Sequence, residues 1–327
     1  MNFAIIGCGL IGQKRYKAIK ALGHNVVCLC DKDQEKTKQI DSSIKWIQDI
    51  IQIQVMPEVE AVIVSTPNNL LVPLTLEMIK YKKHVLVEKP GAMNVNGIEN
   101  MITFLKGYPN IQVQVGFNHR YHPAFIKAKQ AVFDIQPIMF IRGRYGHGGR
   151  LGYNKEWRAI PEISGGGELI DQGVHLIDLA HWFLGDFTKV DGSIHNYFWD
   201  MKVEDNVFMK LETPAKEVAW LHCSSTEWKN TFSFEIYGKY GKIHIEGLGG
   251  SYGVERISVY SMSPQMGPPD TIIHEYPMED KSWEREIINF VQNINNRKSG
   301  FGTVSDNLQD TYKTLSIVEK IYKQNGK

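Results

Sequence analysis

The chain has 327 residues, 43% of them hydrophobic and 22% charged, and a formal net charge of +1. That is the balance of a soluble globular protein, and it excludes the broad basic field of a nucleic-acid binder, an acidic tail and a low-complexity chain. No apolar run reaches the roughly 20 residues of a membrane span, so neither a membrane nor nucleic acid is expected as a partner. The length favours two domains. Cys8, Cys28, Cys30 and Cys223 lack the spacing of a zinc site, so no metal is expected. With no basic segment ahead of the first apolar residues, the protein reads as cytoplasmic with reduced thiols.

The first predicted element is a strand from Phe3 to Ile6, followed by Gly7-Cys8-Gly9-Leu10-Ile11-Gly12 and a helix to about Leu22. In such a turn the first glycine bends the chain, the second lets a pyrophosphate approach the backbone, and the third lets the helix pack on the strand. Leu10 and Ile11 open the helix whose N–H groups would face the phosphates. A second strand, Asn25 to Cys30, ends in Asp31, about 20 residues past the last glycine, where a ribose-binding acid is expected. Asp31 would accept from the adenosine ribose hydroxyls and repel a 2′-phosphate, so NAD is favoured over NADP; the adjacent Lys32 leaves some room for NADP. The bland alternative is that Asp31 only opens the Asp31-Lys32-Asp33 turn.

Strands and helices then alternate: strand Ala61 to Ser65, helix near Pro73 to Tyr81, strand His84 to Glu88, helix near Asn96 to Lys106, strand Ile111 to Phe117. This alternation builds a doubly wound parallel sheet, with ligands beyond the carboxyl ends of its strands. Two of those ends carry Thr66-Pro67-Asn68 and Glu88-Lys89-Pro90. A lysine so placed faces the cofactor crevice rather than open solvent, and Lys89-Pro90 is a candidate cis bond. Beyond Phe117 the rhythm changes to a helix from Pro123 to Phe133 and strand-like runs at 138–145, 190–199, 207–211, 218–224, 232–237, 242–246, 256–260 and 271–276. Strands joined by short turns imply an antiparallel sheet. Helices near Ser282 to Asn295 and Val304 to Lys323 close the sequence.

The stretch from Ser164 to Gly185 is predicted as one helix, entered through Gly165, Gly166 and Gly167 and stopped by Gly185. At 3.6 residues per turn Asp171, His175 and Asp178 fall within about 60° of one another, on a helix otherwise almost wholly apolar. A histidine between two carboxylates can be held near neutrality, where acid/base work is efficient; a solvated polar face is the plainer alternative.

With these residues in hand, the chain resembles the glucose-fructose oxidoreductase, inositol dehydrogenase and rhizopine-catabolism (Gfo/Idh/MocA) family over nearly its whole length. The likeness is carried by Gly7-x-Gly9-x-x-Gly12, Thr66-Pro67-Asn68, Glu88-Lys89-Pro90, Gly116-Phe117-Asn118-His119-Arg120-Tyr121-x-Pro123, and Gly165-Gly166-Gly167-x-Leu169-x-Asp171-x-Gly173-x-His175 leading to Trp182 and Gly185. One position departs from the pattern: the family often has His three residues after the Thr-Pro-Asn asparagine, where this chain has Leu71. The resemblance implies an α/β Rossmann domain over 1–118 and an α+β domain over 119–327, built on a large, mostly antiparallel open-faced sheet. The C-terminal helices are expected to pack back on the first domain. It also implies a homodimer or homotetramer formed through the outer face of that sheet.

For chemistry, the resemblance implies that Lys89, Asp171 and His175 converge on a substrate hydroxyl beside the nicotinamide. His175 would act as general base, Lys89 would stabilise alkoxide charge, and Asp171 would orient substrate or histidine. Thr66, Pro67, Asn68, Glu88, Asn118, Trp157 and Arg158 would line the cleft, with Arg120, Tyr145, Arg150 and Arg158 as further substrate contacts. From Arg142 to Arg158 the sequence reads as a flexible, glycine-rich basic loop, which suits an anionic sugar, phosphorylated or nucleotide-linked, because arginine forks match such groups. The expected activity is NAD-dependent oxidation of a secondary hydroxyl of a sugar derivative. Alternatives are a tightly held, internally recycled NAD giving net isomerisation or elimination, a non-catalytic NAD-sensing protein, and a metal-dependent hydrolase using Asp171, His175 and Asp178.

Overall fold

The computed structural model describes residues 1–265, 267–298 and 306–327; the expected helix start at Val304 lies outside them. In chain order the elements begin β1 (Asn2–Ile6), α1 (Leu10–Ala21), β2 (Asn25–Cys30), α2 (Gln34–Asp41), β3 (Lys45–Ile47), α3 (Ile51–Gln54), β4 (Ala61–Val64), α4 (Asn68–Lys80), β5 (His84–Glu88), α5 (Val95–Leu105) and β6 (Val113–Gly116). After a 3-10 turn at Asn118–Tyr121 come α6 (Pro123–Ile135), β7 (Ile138–Gly146), α7 (Pro161–Ser164), a π-helical turn at Leu169–Gly173, and α8 (Val174–Leu184). Then follow β8 (Lys189–His195), β9 (Asn206–Glu212), β10 (Val218–Ser224), β11 (Thr231–Gly238), β12 (Gly241–Glu246), β13 (Glu255–Ser261), β14 (Asp270–Tyr276), α9 (Ser282–Lys298) and α10 (Asp306–Gln324).

The chain forms two compact units, one of Met1–Phe117 with Trp283–Tyr312, the other of Asn118–Ser282 with Lys313–Lys327. The first holds a six-stranded sheet of order β3-β2-β1-β4-β5-β6, every pair parallel. Strands β4 and β5 are buried at every residue, as strands covered on both faces must be. In the core Phe3, Ile5, Ile19, Leu29 and Ile63 meet Ile287, Phe290 and Ile294 of α9. Helix α4 begins five residues earlier than the sequence suggests, so Pro73 lies inside it and Asn68 is its first residue.

The second unit holds an eight-stranded sheet of order β14-β13-β12-β11-β7-β10-β9-β8, in which only β7 and β10 pair parallel. Period-2 alternation buries Phe232, Phe234, Ile236, Ile243 and Ile245 on the face covered by α6 and α8. Phe208 and Trp220 stay exposed on the other face. Two expectations fail locally. The run predicted to reach Trp199 leaves the sheet at His195, because the Asp205 carboxylate accepts from the N–H groups of Tyr197, Phe198 and Trp199 and closes a turn. The single helix expected over 164–185 is instead α7, a glycine link, the π-helical turn and α8, ending at Gly185 with φ 79°. The i→i+5 bonding of a π turn breaks the 3.6-residue phase on which one polar strip depends.

Candidate functional site

In the first unit the three glycines of the opening turn do different work. Gly7 has φ +90°, and a Cβ there would lie 2.4 Å from the Ser65 carbonyl oxygen. A Cβ on Gly12 would lie 2.2 Å from the Gly7 oxygen, so both positions are dictated by close chain packing. A Cβ on Gly9 would meet nothing within 4 Å: that glycine leaves its face open. Helix α1 starts there with no side-chain cap and no acid in its first turn, Leu10 exposed and Ile11 half-buried. Asp31, at the end of β2, is drawn to the turn: Oδ2 accepts from the Cys8 N–H at 2.8 Å and Oδ1 from the Asp33 N–H at 3.0 Å. Thr66, Pro67 and Asn68 follow β4, and the buried Thr66 hydroxyl has no hydrogen-bond partner among the described residues. Burial first, then Asp31, pushes the Cys8 thiol up to about 12, and burial holds Cys28 at about 11 and Cys30 at about 12. All four cysteines are free.

Glu88, at the end of β5, is paired within the first unit. Its carboxylate meets Arg15 of α1 at 2.6 and 2.7 Å, and Arg15, fully buried, reaches Glu286 of α9 at 2.6 Å. The guanidinium also lies 4.6 Å from the Trp283 ring, and a Cβ on Gly116 would lie 2.7 Å from it. Arg15 is thus the buried strut joining α1, β5 and α9, and nothing in its neighbours' sequence marks it. Lys89 follows with a cis bond to Pro90.

In the second unit Asp171 stands in the π-helical turn, where its Oδ2 takes the Arg158 Nε at 3.1 Å. That carboxylate, against the pull of burial, holds the Arg158 guanidinium above its ordinary value, and Arg158 also lies 4.6 Å over the Trp157 ring. His175, buried in the first turn of α8, stacks on the ring of His119 at 3.7 Å and 21°. Tyr145, buried at the end of β7, sits edge-on to His175 at 6.1 Å, its phenol pushed well up by burial and then by Tyr252. Asn118 holds this group in place: its Nδ2 donates to Ser282 Oγ at 2.9 Å and its Oδ1 meets His119 Nδ1 at 3.1 Å. The Asn118 amide therefore positions His119, a residue to which the sequence alone gives no role.

Residues 1–117 match the model of an oxidoreductase family with an NAD-binding Rossmann fold, and residues 128–244 match that of the GFO/IDH/MocA C-terminal domain. The chain belongs to the Gfo/Idh/MocA family. Among curated members it is 29% identical over 201 residues to the inositol 2-dehydrogenase/D-chiro-inositol 3-dehydrogenase of Halalkalibacterium halodurans, over 57% of this chain and 53% of that one. It is 24% identical over 258 residues to the scyllo-inositol 2-dehydrogenase (NAD(+)) of Bacillus subtilis, over 74% of this chain and 72% of that one. The chain spans about half the length of several of the curated relatives it matches. In fold it is similar to a levoglucosan dehydrogenase solved with NADH and L-sorbose, with TM-score 0.86 and 21% identity over 100% of this chain and 97% of that one. The family's NAD-binding domain is the first unit, and its residues fit the dinucleotide: the open Gly9 face, the uncapped start of α1 and the unpartnered Thr66 hydroxyl each offer polar or open surface to a ligand.

Other family positions carry partners within the protein. Arg120 gives Nε and one Nη to Asp178 at 2.8 and 2.6 Å and so braces α8. Arg150 is tied twice to Glu156, each contact 2.7 Å. The segment from Arg142 to Arg158 is not one loop: Arg142 and Arg144 lie on β7 and pair with Glu235 and Glu227. Its arginines each carry a carboxylate partner. Close by, Glu168 accepts from the Tyr153 O–H at 2.6 Å and lies 3.6 Å from His147 Nε2. Burial pulls His147 down, but Glu168 outweighs it and leaves the imidazole above its ordinary value.

Proposed function

We propose that this chain is an NAD-dependent dehydrogenase that oxidises a secondary hydroxyl of an uncharged sugar or polyol. The observation that carries the reading is the buried His175, stacked on His119 in the turn after Asp171, in a chain whose first domain is of an NAD-binding family. Bound NAD supplies the hydride acceptor. Gly9 to Gly12 would hold its pyrophosphate, Asp31 its adenosine ribose, and Thr66, Pro67 and Asn68 its nicotinamide half. His175 takes the hydroxyl proton, Lys89 stabilises the oxygen as charge develops, and Asp171, fixed by Arg158, orients the substrate. Leu10, Ile11, Trp157 and Tyr145 would complete the walls of the two ligand sites.

The matched arginines favour an uncharged polyol over a phosphorylated or nucleotide-linked sugar. The inositol dehydrogenases similar to this chain act, by their names, on uncharged polyols, which supports the same choice. Against the hydrolase alternative, Asp178 is committed to Arg120, and among the described residues no group of three or more His, Cys, Asp or Glu is placed to hold a metal ion. No helix among the described residues is long and apolar enough to cross a membrane. The exposed Phe208 and Trp220 on the open face of the second sheet support pairing of two or four copies through it.

NADH formation at 340 nm, with purified protein and a panel of inositols, anhydrosugars, sugar phosphates and nucleotide sugars, tests the reading. Turnover of a neutral polyol is expected. Turnover of anionic sugars alone would overturn the substrate class, and silence with NAD bound would favour the internally recycled cofactor.

A further inference from the structure

The turn carrying Asp171 opens on three glycines, and its first N–H groups cannot be satisfied from within a helix that has not yet begun. They are satisfied from 37 residues further along the chain. Glu204, 1% exposed and just ahead of β9, accepts on Oε1 from the Gly167 N–H at 2.9 Å and the Leu169 N–H at 3.2 Å. Its backbone carbonyl accepts from the Glu168 N–H between them at 3.0 Å. Three successive amides therefore end on one residue. A second layer holds the carboxylate: the Tyr322 O–H of α10 donates to Oε1 at 2.8 Å, and Lys327 Nζ lies 3.1 Å from Oε2.

The glycines are explained by the same contacts. A Cβ on Gly166 would lie 1.9 Å from the Tyr322 hydroxyl oxygen, and one on Gly167 would lie 2.1 Å from the Glu204 carbonyl oxygen. The next hydrogen bond along runs from the Asp171 N–H to the Gly167 oxygen at 3.0 Å, so the backbone of Asp171 is one bond from this anchor. Hydrogen bonds to a carboxylate are about twice as strong as neutral ones, and negative charge at the start of a helix opposes its dipole favourably.

We propose that Glu204 is a positioning residue for the Asp171 and His175 pair, its carboxylate capping the π-helical turn from outside the helix while Tyr322 and Lys327 hold the carboxylate. The proposal rests on the dehydrogenase reading for its catalytic consequence, but not for the anchoring itself.

The test compares Glu204→Ala, Glu204→Gln and Tyr322→Phe by steady-state kinetics on the best polyol, by NAD titration, and by amide hydrogen exchange over residues 166–175. In Glu204→Ala, kcat is expected to fall about 10- to 100-fold, the scale of a small misplacement of reacting groups. NAD affinity should be unchanged and exchange faster at 167–171. Glu204→Gln, which keeps the accepting oxygen, should recover most of kcat. Wild-type kcat in Glu204→Ala, unchanged exchange, or a glutamine variant no better than alanine would each overturn the proposal. Should the alanine variant not fold, Tyr322→Phe decides: a several-fold lower kcat at constant NAD affinity supports the proposal, and wild-type kcat overturns it. If the wild type oxidises no polyol, the dehydrogenase reading falls by itself, and hydrogen exchange still judges the anchor.

Discussion

Two glycine-rich turns each open a helix in this chain, and they are finished in opposite ways. The turn at Gly7 to Gly12 enters α1 without a side-chain cap, and the face of Gly9 is open. The turn at Gly165 to Gly167 is filled from within: Glu204 sits on its amides and Tyr322 lies against Gly166. A helix start attracts negative charge in either case. Whether it receives a ligand or the protein's own carboxylate depends on what the rest of the chain has placed there. The open turn can bind and release; the closed one holds Asp171 and His175 still.

The comparison is most sharply tested at the closed turn. His175→Ala should cut kcat by about 10²- to 10⁴-fold with the Kd for NAD unchanged, because the chemistry and the cofactor belong to different turns. A weaker NAD complex with kcat preserved would reverse the assignment. The next largest effect concerns how the open turn is braced from behind. Glu88→Ala leaves the buried Arg15 with Glu286 alone, and urea unfolding should register a loss of about 3–5 kcal/mol; a loss well under 1 kcal/mol would show that Arg15 braces nothing.

A pair of identical substitutions then sets the two turns side by side. Gly167→Ala forces a methyl against the Glu204 carbonyl and should cost about 1–3 kcal/mol. Gly9→Ala, with nothing to strike, should leave the melting temperature alone while weakening NAD about tenfold, or ~1.4 kcal/mol. Equal melting temperatures in the two variants would erase the distinction. The smallest effect is a slope with pH. The raised His147 binds its proton more tightly folded than unfolded, so its pairing with Glu168 stabilises fully below the ordinary value of 6.5 and fades as pH rises through the raised one. His147→Gln should flatten that fall in unfolding free energy, and an unchanged slope would refute the pairing.

The first turn was readable because everything it needs is local: strand, glycines at fixed offsets, helix and Asp31 follow one another directly. The sheet of the second unit was readable from its period-2 alternation, as Phe232, Phe234 and Ile236 illustrate. What the sequence hid depends on distant partners. Arg15 reads as one more surface cation of α1 until Glu88 and Glu286 arrive from β5 and α9. The π-helical turn, and with it the break in the Asp171, His175 and Asp178 strip, has no periodic signature when nearly all its neighbours are apolar. The pairing of the basic segment was hidden for the same reason: Glu227 and Glu235, which match Arg144 and Arg142, lie beside and on a strand far along the chain.

One consequence of the domain plan concerns synthesis. The first unit is assembled from two pieces of chain, with residues 118–282, the larger piece of the second unit, encoded between them. When a ribosome has made residues 1–117, the six strands exist, but Ile287, Phe290 and Ile294 of α9, which share their core, do not. The nascent sheet must wait with part of its apolar surface uncovered while β7 to β14 are translated and paired, a period in which exposed apolar surface favours aggregation. Within that interval β7 waits in turn for β10, its parallel neighbour beyond α8, β8 and β9. The domain that leaves the ribosome first is closed only after most of the other has been made.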